Sequence, residues 1–372
     1  MGIKVAKFGG SSLCDAEHFR RVKAIIESDP DYCYVVPSAP GKRFDADEKI
    51  TDLLYQCHRL VERGKSHEEL FKKIEDRYME IARDLELDFD VTGMLLETSD
   101  AIRRFKNPDF AASRGEYMNG VLLSKYLGWD FIDAQDVIKF DRQGSFAAEW
   151  TNEVLTEALK NHPKAVIPGF YGSYPNGDVH TFSRGGSDIS GAIVSRAAKA
   201  DVYVNWTDVS GFMMADPRIV KNPKVIRELS YAELRELSYM GATVLHEDAI
   251  FPVHKAGIPT NIRNTNDPDE NPTAINGCIR RILKLFRQTT YIGITATPFA
   301  NIFINPSSED DMLGDDLFPR DFIYALDVPD SYIGPDKIFG DESGKMLVAI
   351  KPAADEVEPD VDKYFPSAIK LI

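Results

Sequence analysis

Long hydrophobic runs are absent from this chain of 372 residues. A membrane-spanning helix needs about 20 consecutive apolar residues, and no apolar run approaches that length. The first apolar stretch follows Met1 and Gly2 directly, without the charged and apolar segments of a signal peptide. The sequence therefore predicts neither a membrane span nor secretion.

Cysteine is scarce, with four residues in the whole chain. Cys14, Cys33, Cys57 and Cys278 form no CxxC pair and show no spacing typical of a metal site. We therefore predict reduced thiols, a cytoplasmic location and no metal held by a dedicated set of protein ligands.

Positive charge is in deficit, since 44 basic residues face 59 acidic ones and the formal net charge is −15. Such a surface repels nucleic-acid phosphates and anionic lipids. The composition thus argues against nucleic acid or membrane as a partner and favours small molecules.

Short apolar runs alternate with amphipathic stretches through residues 1–287. We predict strands at residues 3–8, 32–36, 165–167, 179–182 and 202–206, and helices at 16–26, 120–127 and 189–198. Strands that alternate with helices are typical of an α/β domain on a mainly parallel sheet. Near residue 287 the apolar patches shorten and Pro, Gly and Asp multiply, so we predict two domains, 1–287 and 288–372.

A glycine-rich turn, KFGGSS at residues 7–12, ends the first predicted strand. Paired glycines let backbone N–H groups approach an anion, and Lys7 adds a positive charge. The motif indicates a phosphate cradle, with an ordinary tight turn as the alternative. It is not a P-loop, which requires GxxxxGK followed by Ser or Thr.

A second glycine-rich turn, SRGGSD at residues 183–188, leads into a predicted helix. We expect Ser187 to cap that helix, whose N-terminus favours anions. The Arg184 fork suits a carboxylate. Asp188 has two interpretations, an active-site carboxylate or a residue that only complements the helix dipole.

Two further motifs remain ambiguous by themselves. The first is TDVSGF at residues 207–212, followed by ADPR at 215–218. It comes directly after the carboxyl end of a predicted strand, the position at which α/β folds bind ligands. Phe212 could lie beside a nucleotide base or in the core. Glu116, in SRGE at residues 113–116, could hold a substrate ammonium group or form a surface salt bridge.

Together these motifs resemble, in order and approximate spacing, the aspartate kinases of the amino acid kinase superfamily across residues 3–267. VVPSA at 35–39, TDLL at 51–54 and GATVLH at 241–246 add to the resemblance. It implies a three-layer αβα sandwich on a mainly parallel sheet, followed at 288–372 by one degenerate, small α+β ACT-like domain. It also implies a homodimer or higher homo-oligomer.

The resemblance also implies a role for each matching residue. The catalytic residues are Lys7, which contacts the transferring phosphates, and Asp188, which orients that lysine. Aspartate binds to Ser38, Thr51, Glu116, Arg184 and Ser187. The nucleotide binds to Lys7, Gly9, Gly10, Ser11, Thr207, Asp208, Phe212, Asp216 and Arg218. ATP and Mg²⁺ are the expected cofactors. Thr243 stands where the family more often has lysine, which removes one possible nucleotide contact.

The implied reaction is ATP-dependent phosphorylation of L-aspartate to 4-phospho-L-aspartate, a step toward lysine and threonine. A side-chain carboxylate with a pKa near ~3.9 is already ionised at neutral pH and needs no general base. Catalysis is then mainly positioning and charge neutralisation. Two alternatives stay open: the same chemistry on a different amino acid, and a non-catalytic amino-acid-binding regulatory subunit.

Overall fold

The computed structural model describes residues 2–183, 185–209, 211–213, 220–221, 223–231, 233–234, 247–269 and 273–275. The predicted domain boundary at 287/288 and the predicted ACT-like domain lie outside these residues. The helices, strands and contacts of the fold and of the site all lie within these residues.

Eight of the described strands form one sheet, in the order β3-β4-β2-β1-β7-β9-β10-β8. Every neighbouring pair is parallel except β9 and β10, so the predicted mainly parallel sheet is confirmed. A separate antiparallel hairpin consists of β5 and β6. The strands are β1 Lys4–Phe8, β2 Tyr32–Pro37, β3 Asp130–Phe131, β4 Ala165–Val166, β5 Tyr171–Ser173, β6 Val179–Thr181, β7 Val202–Thr207, β8 Glu228–Leu229, β9 Thr260–Asn264 and β10 Thr273–Ile275.

Helices cover both faces of this sheet. The first five pack on the face that presents Ala6, Phe8 and Val35, and the other four, with the hairpin, pack on the face of Val5 and Val36. The predicted three-layer αβα sandwich is therefore confirmed. The helices are α1 Ala16–Glu27, α2 Ile50–Glu62, α3 Glu68–Asp84, α4 Val91–Phe105, α5 Pro108–Leu127, α6 Ala134–Val137, α7 Ala148–Lys160, α8 Gly186–Ala197 and α9 Glu247–Ala256. None of them combines the length and apolarity that a membrane span requires.

Local sequence explains where the site-bearing helices begin. The Asp15 side chain accepts a hydrogen bond from the His18 N–H and so caps α1, which runs close to the predicted 16–26. Asn107 caps α5 and Pro108 opens it. The prediction of a helix at 120–127 captured only the second half of α5.

Helices α2, α3 and α4 were not predicted. Their apolar spacing is nevertheless helical, as the buried side chains Phe71, Ile74, Tyr78 and Ile81 of α3 show. These helices form much of the layer over the face of Ala6 and Phe8.

The register of three neighbouring strands places their carboxyl ends at one edge of the sheet. Lys7 of β1 lies opposite Val36 of β2 and Asn205 of β7. The loops that leave these strands therefore converge, as in other α/β folds that bind ligands at this edge.

Candidate active site

A buried ion pair joins the two glycine-rich turns. The Lys7 Nζ lies 2.7 Å from Asp188 Oδ1, and the two side chains are 10% and 19% exposed. Lys7 comes from the end of β1, and Asp188 lies in the first turn of α8. The structure thus brings together the two residues predicted to be catalytic, while their roles in catalysis stay predictions.

Asn205 completes this pair and was missed by the sequence analysis. Its Nδ2 donates to Asp188 Oδ1 at 2.8 Å, and its Oδ1 accepts from Lys7 Nζ at 3.4 Å. Asn205 thereby fixes the orientation of both side chains. The available signal was a polar residue within the apolar strand β7, whose register with β1 sequence alone does not give.

Backbone contacts hold the first glycine-rich turn in place. The Gly9 N–H donates to the Trp206 carbonyl at 3.0 Å, and the Gly41 N–H donates to the Gly10 carbonyl at 2.8 Å. A Cβ added at Gly10 would lie 2.7 Å from the Ala39 carbonyl oxygen. Gly10 therefore permits the loop after β2 to approach the turn, and Ser11 stands half-buried in the 3-10 helix Gly10–Leu13.

The second glycine-rich turn differs from the prediction at Ser187. Gly185, at φ 57°, is the N-cap residue and α8 begins at Gly186, so the prediction that Ser187 caps the helix is wrong. The left-handed conformation, which glycine adopts without strain, turns the chain into the helix early. Ser187 is instead buried in the first turn against Gly169. Arg184 lies outside the described residues.

Glu116 is buried in the middle of α5. It is 5% exposed, and its Oε2 has no hydrogen-bond partner among the residues described. Burial raises the pKa of Glu116 to about 8, although a hydrogen bond from the Ala39 backbone opposes the shift. The alternative of a surface salt bridge is therefore wrong.

Gly115 explains how Glu116 reaches this position. A Cβ added there would lie 2.8 Å from the Ala39 Cβ, so the glycine is a close-packing position inside α5. Asn119, one turn after Glu116, donates from Nδ2 to the Ser38 carbonyl at 2.7 Å. Asn119 was also missed, and it ties α5 to the loop that carries the predicted aspartate-binding Ser38.

Four further predicted residues lie within the described part of the chain. Thr51, half-buried, is in the first turn of α2. Thr207 ends β7, and its hydroxyl donates to the exposed Asp208 at 3.2 Å. Phe212 is 2% exposed and packs with the core, which favours the core interpretation and leaves its nucleotide contact an untested prediction. Asp216, Arg218 and the motif at 241–246 with Thr243 lie outside the described residues.

Arg77 of α3 anchors the loop after β2. Its Nη2 lies 2.5 Å from Asp47 Oδ2, and its Nη1 donates to the Gly41 carbonyl at 3.0 Å. Burial acts to raise the pKa of Asp47, but hydrogen bonds from Arg43 and the charge of Arg77 hold it below its usual value. This ion pair keeps Gly41 against the first glycine-rich turn.

Comparisons with known proteins identify the family of this chain. Residues 2–264 match the Amino acid kinase family. Aspartokinase 3 of Bacillus subtilis is 38% identical over 291 residues, covering 73% of this chain and 63% of that protein. Lysine-sensitive aspartokinase 3 of Escherichia coli is 30% identical over 315 residues, covering 78% of this chain and 69% of that protein.

Among solved structures, aspartate kinase of Clostridium acetobutylicum superposes with a TM-score of 0.71 at 55% identity, covering 74% of this chain and 63% of that one. E. coli aspartokinase III in complex with aspartate and ADP gives a TM-score of 0.64 at 27% identity, with coverage of 74% and 64%. The chain thus spans less than two thirds of the Bacillus relative and of both solved structures. It belongs to the amino acid kinase family, and its similarity within that family is to aspartokinases.

Proposed function

We propose that this chain transfers the γ-phosphoryl group of ATP to the side-chain carboxylate of L-aspartate and forms 4-phospho-L-aspartate, within amino-acid biosynthesis toward lysine and threonine. The proposal is supported by the similarity to aspartokinases. The observation that carries it is the buried carboxylate of Glu116, whose Oε2 has no hydrogen-bond partner among the residues that the structure describes.

A buried carboxylate without a cation is unfavourable, because desolvation penalises the charged form. A substrate ammonium group would supply the missing charge and donate to Glu116 Oε2. Glu116 lies against Ala39 in the loop after β2, close to the edge where β1, β2 and β7 end. An amino acid bound through its ammonium group would therefore lie beside the first glycine-rich turn.

In this proposal, Lys7 interacts with the phosphates of ATP. Asp188 and Asn205 hold its ammonium group at the carboxyl end of β1, next to Gly9. There it would neutralise the phosphates that repel the incoming aspartate carboxylate. Arg184 would grip a substrate carboxylate through its bidentate fork. Since the acceptor is already ionised, positioning and charge neutralisation suffice.

Mg²⁺ fits this site as an ion carried by ATP. Magnesium usually keeps several waters and binds through substrate phosphates and one or two carboxylates. Asp188 can supply such a carboxylate, since Lys7 and Asn205 both engage Oδ1 and leave Oδ2 for a metal-bound water. When bound, Mg²⁺ would neutralise phosphate charge during transfer.

A homodimer or higher homo-oligomer and a cytoplasmic location belong to the same proposal. The cysteines described, Cys14, Cys33 and Cys57, are all free thiols, which is usual in reducing compartments. Mass measurement in solution tests the assembly.

The decisive assay supplies ATP, Mg²⁺ and one acceptor at a time, and traps the acyl phosphate with hydroxylamine. We expect aspartyl hydroxamate from aspartate and little product from succinate, which lacks the ammonium group that Glu116 would hold. Product from another amino acid but not from aspartate would show that the enzyme acts on that amino acid instead of aspartate. No product from any acceptor, with amino-acid binding retained, would indicate a regulatory subunit.

A further inference from the structure

A thiol, a carboxylate and an imidazole meet at the start of α1, at the exit of the first glycine-rich turn. The ligand atoms of Cys14, Asp15 and His18 all lie within 4.8 Å of one another. Cys14 directly follows the 3-10 helix Gly10–Leu13. None of the three belongs to the site proposed for phosphoryl transfer.

The distances within this group are close to those of a metal centre. Cys14 Sγ lies 3.4 Å from His18 Nδ1 and 3.7 Å from Asp15 Oδ2. Tetrahedral Zn²⁺ with bonds of ~2.0–2.3 Å would separate its ligand atoms by roughly 3.4–3.6 Å. The Nδ1 of His18 and Oδ1 of Asp15 are hydrogen-bonded at 2.7 Å, and this contact has to open before Nδ1 can bind an ion.

The backbone already fixes the three side chains relative to one another. Asp15 Oδ1 accepts from the His18 N–H at 3.0 Å as the cap of α1, which leaves Oδ2, the oxygen facing the sulfur, for an ion. The Cys14 carbonyl accepts from Arg77 Nη1 at 3.4 Å. Ligands held in advance lose little entropy on binding.

Access and charge also suit a divalent ion. Cys14 is 3% exposed, whereas the side chains of His18 and Asp15 are 23% and 37% exposed and open the site to solvent. A thiolate and a carboxylate together neutralise a dication, and neutral imidazole completes a mixed S, N, O set that suits Zn²⁺.

The same residues make a poor nucleophile. Burial and, to a smaller extent, the neighbouring Asp15 raise the pKa of the Cys14 thiol to about 12. The thiol therefore keeps its proton at neutral pH and is unreactive. A bound ion has to displace that proton, as metals do whenever they bind thiols.

We propose that Cys14, Asp15 and His18 bind a thiophilic divalent metal ion, with Zn²⁺ as the preferred ion and water as the fourth ligand. This site is separate from the Mg²⁺ that ATP would carry. It requires neither ATP nor aspartate, so it can fail or hold independently of the proposed kinase activity.

The test titrates the full chain, stripped of metal, with Zn²⁺ in competition with a chromophoric chelator. We expect one equivalent to bind in the wild type, and binding to weaken by about 100-fold in Cys14→Ser and in His18→Gln, because each removes a direct ligand. Serine is nearly isosteric with cysteine, and His18 is partly exposed, so circular dichroism should show both variants folded.

Two matched variants serve as controls. His162→Gln removes a histidine whose Nδ1 pairs with Asp130 at 2.8 Å and which forms no group with a thiol in the described part of the chain. Cys33→Ala removes a half-buried thiol elsewhere. We expect both to bind Zn²⁺ as the wild type does. Co²⁺ should give a thiolate-to-metal charge-transfer band that is lost in Cys14→Ser.

Three results would overturn the proposal. They are Zn²⁺ affinity unchanged in Cys14→Ser, equal losses in His162→Gln and His18→Gln, and a Co²⁺ spectrum without the thiolate band. All three measurements are made without nucleotide or substrate, so their outcome does not depend on whether the chain has kinase activity.

Discussion

Two buried ionisable side chains of this molecule have opposite surroundings. Lys7 is matched by Asp188 and oriented by Asn205, whereas the carboxylate of Glu116 has one oxygen without any partner among the residues described. A paired charge is preorganised, whereas a buried carboxyl group without a cation keeps its proton until a ligand brings the opposite charge. In the proposed reaction, this difference separates the groups that act on the phosphates from the group that recognises the substrate.

The strongest test of the comparison breaks the matched pair. We expect Lys7→Ala and Asp188→Ala each to lower kcat by about 10³-fold, the scale of a lost electrostatic contact to the transition state. The double variant should lose little more, because residues that act as a unit are not additive. Steady-state kinetics with ATP and aspartate measure all three.

Lys4→Ala is the control for this pair. Lys4 stands on the same strand and pairs with Asp29 at 2.5 Å, but both side chains are about one third exposed. Its removal should leave kcat within about twofold, as exposed ion pairs contribute little. Multiplicative losses in the Lys7–Asp188 double variant would contradict a shared role.

The second prediction removes the unmatched charge. Glu116→Gln keeps the shape but not the charge, so the KM for aspartate should rise by about 100-fold, equivalent to ~2.7 kcal/mol for a charged hydrogen bond. The KM for ATP should change little. Equal effects on both KM values would place Glu116 outside the aspartate site.

The third prediction concerns stability against pH in the absence of substrate. The pKa of Glu116 is raised to about 8 in the folded state, so the folded protein holds a proton that the unfolded chain releases near pH ~4.3. The contribution of Glu116 to the free energy of unfolding is therefore complete below pH ~4.3 and is lost as the pH rises toward 8. Between these two pH values, the free energy of unfolding should fall by at most about 1.4 kcal/mol per pH unit.

Urea unfolding of wild type and Glu116→Gln between these pH values measures this slope. The difference in unfolding free energy should shift in favour of Glu116→Gln as the pH rises. Glu149→Gln is the control, because Glu149 is exposed and paired with Arg196. Parallel curves for wild type and Glu116→Gln would show that Glu116 has a partner after all.

The smallest expected effect tests orientation alone. Asn205→Ala leaves the Lys7–Asp188 pair but removes the amide that aligns it, and we expect kcat to fall about fivefold through poorer positioning. Asn176→Ala, which removes an exposed contact with Asp178, should have no effect. A loss as large as that of Lys7→Ala would assign Asn205 a direct part in the chemistry.

The spacing of apolar residues predicted those strands and helices whose buried face can be recognised from their own residues alone. Strands β1, β2 and β7 and helix α1 came out within one or two residues, because alternation and 3.6-residue spacing are local signals. Helices α2 to α4 carry the same kind of signal and were passed over. Ser187 was misplaced as a cap, since the turn at Gly185 depends on tertiary packing.

The site was less accessible to sequence reasoning. Lys7 and Asn205 lie 198 residues apart, and only strand register brings them together. Glu116 reads locally as a surface residue, and its burial depends on the contact of Gly115 with Ala39. The predicted roles of Lys7, Asp188 and Glu116 therefore came from the family resemblance, while Asn205 and Asn119 were recognised only in the structure.

The position of β1 between β2 and β7 has a consequence for how the chain folds. The partner β2 follows β1 within a few dozen residues, but β7 pairs Val202 with Lys4 across most of the kinase region. Closing so long a loop is entropically slow, and contacts of high sequence separation form late. During synthesis, β1 would therefore wait with one open edge beside a partly formed helical layer. Unpaired strand edges recruit other chains, so this interval is when the protein is most exposed to aggregation.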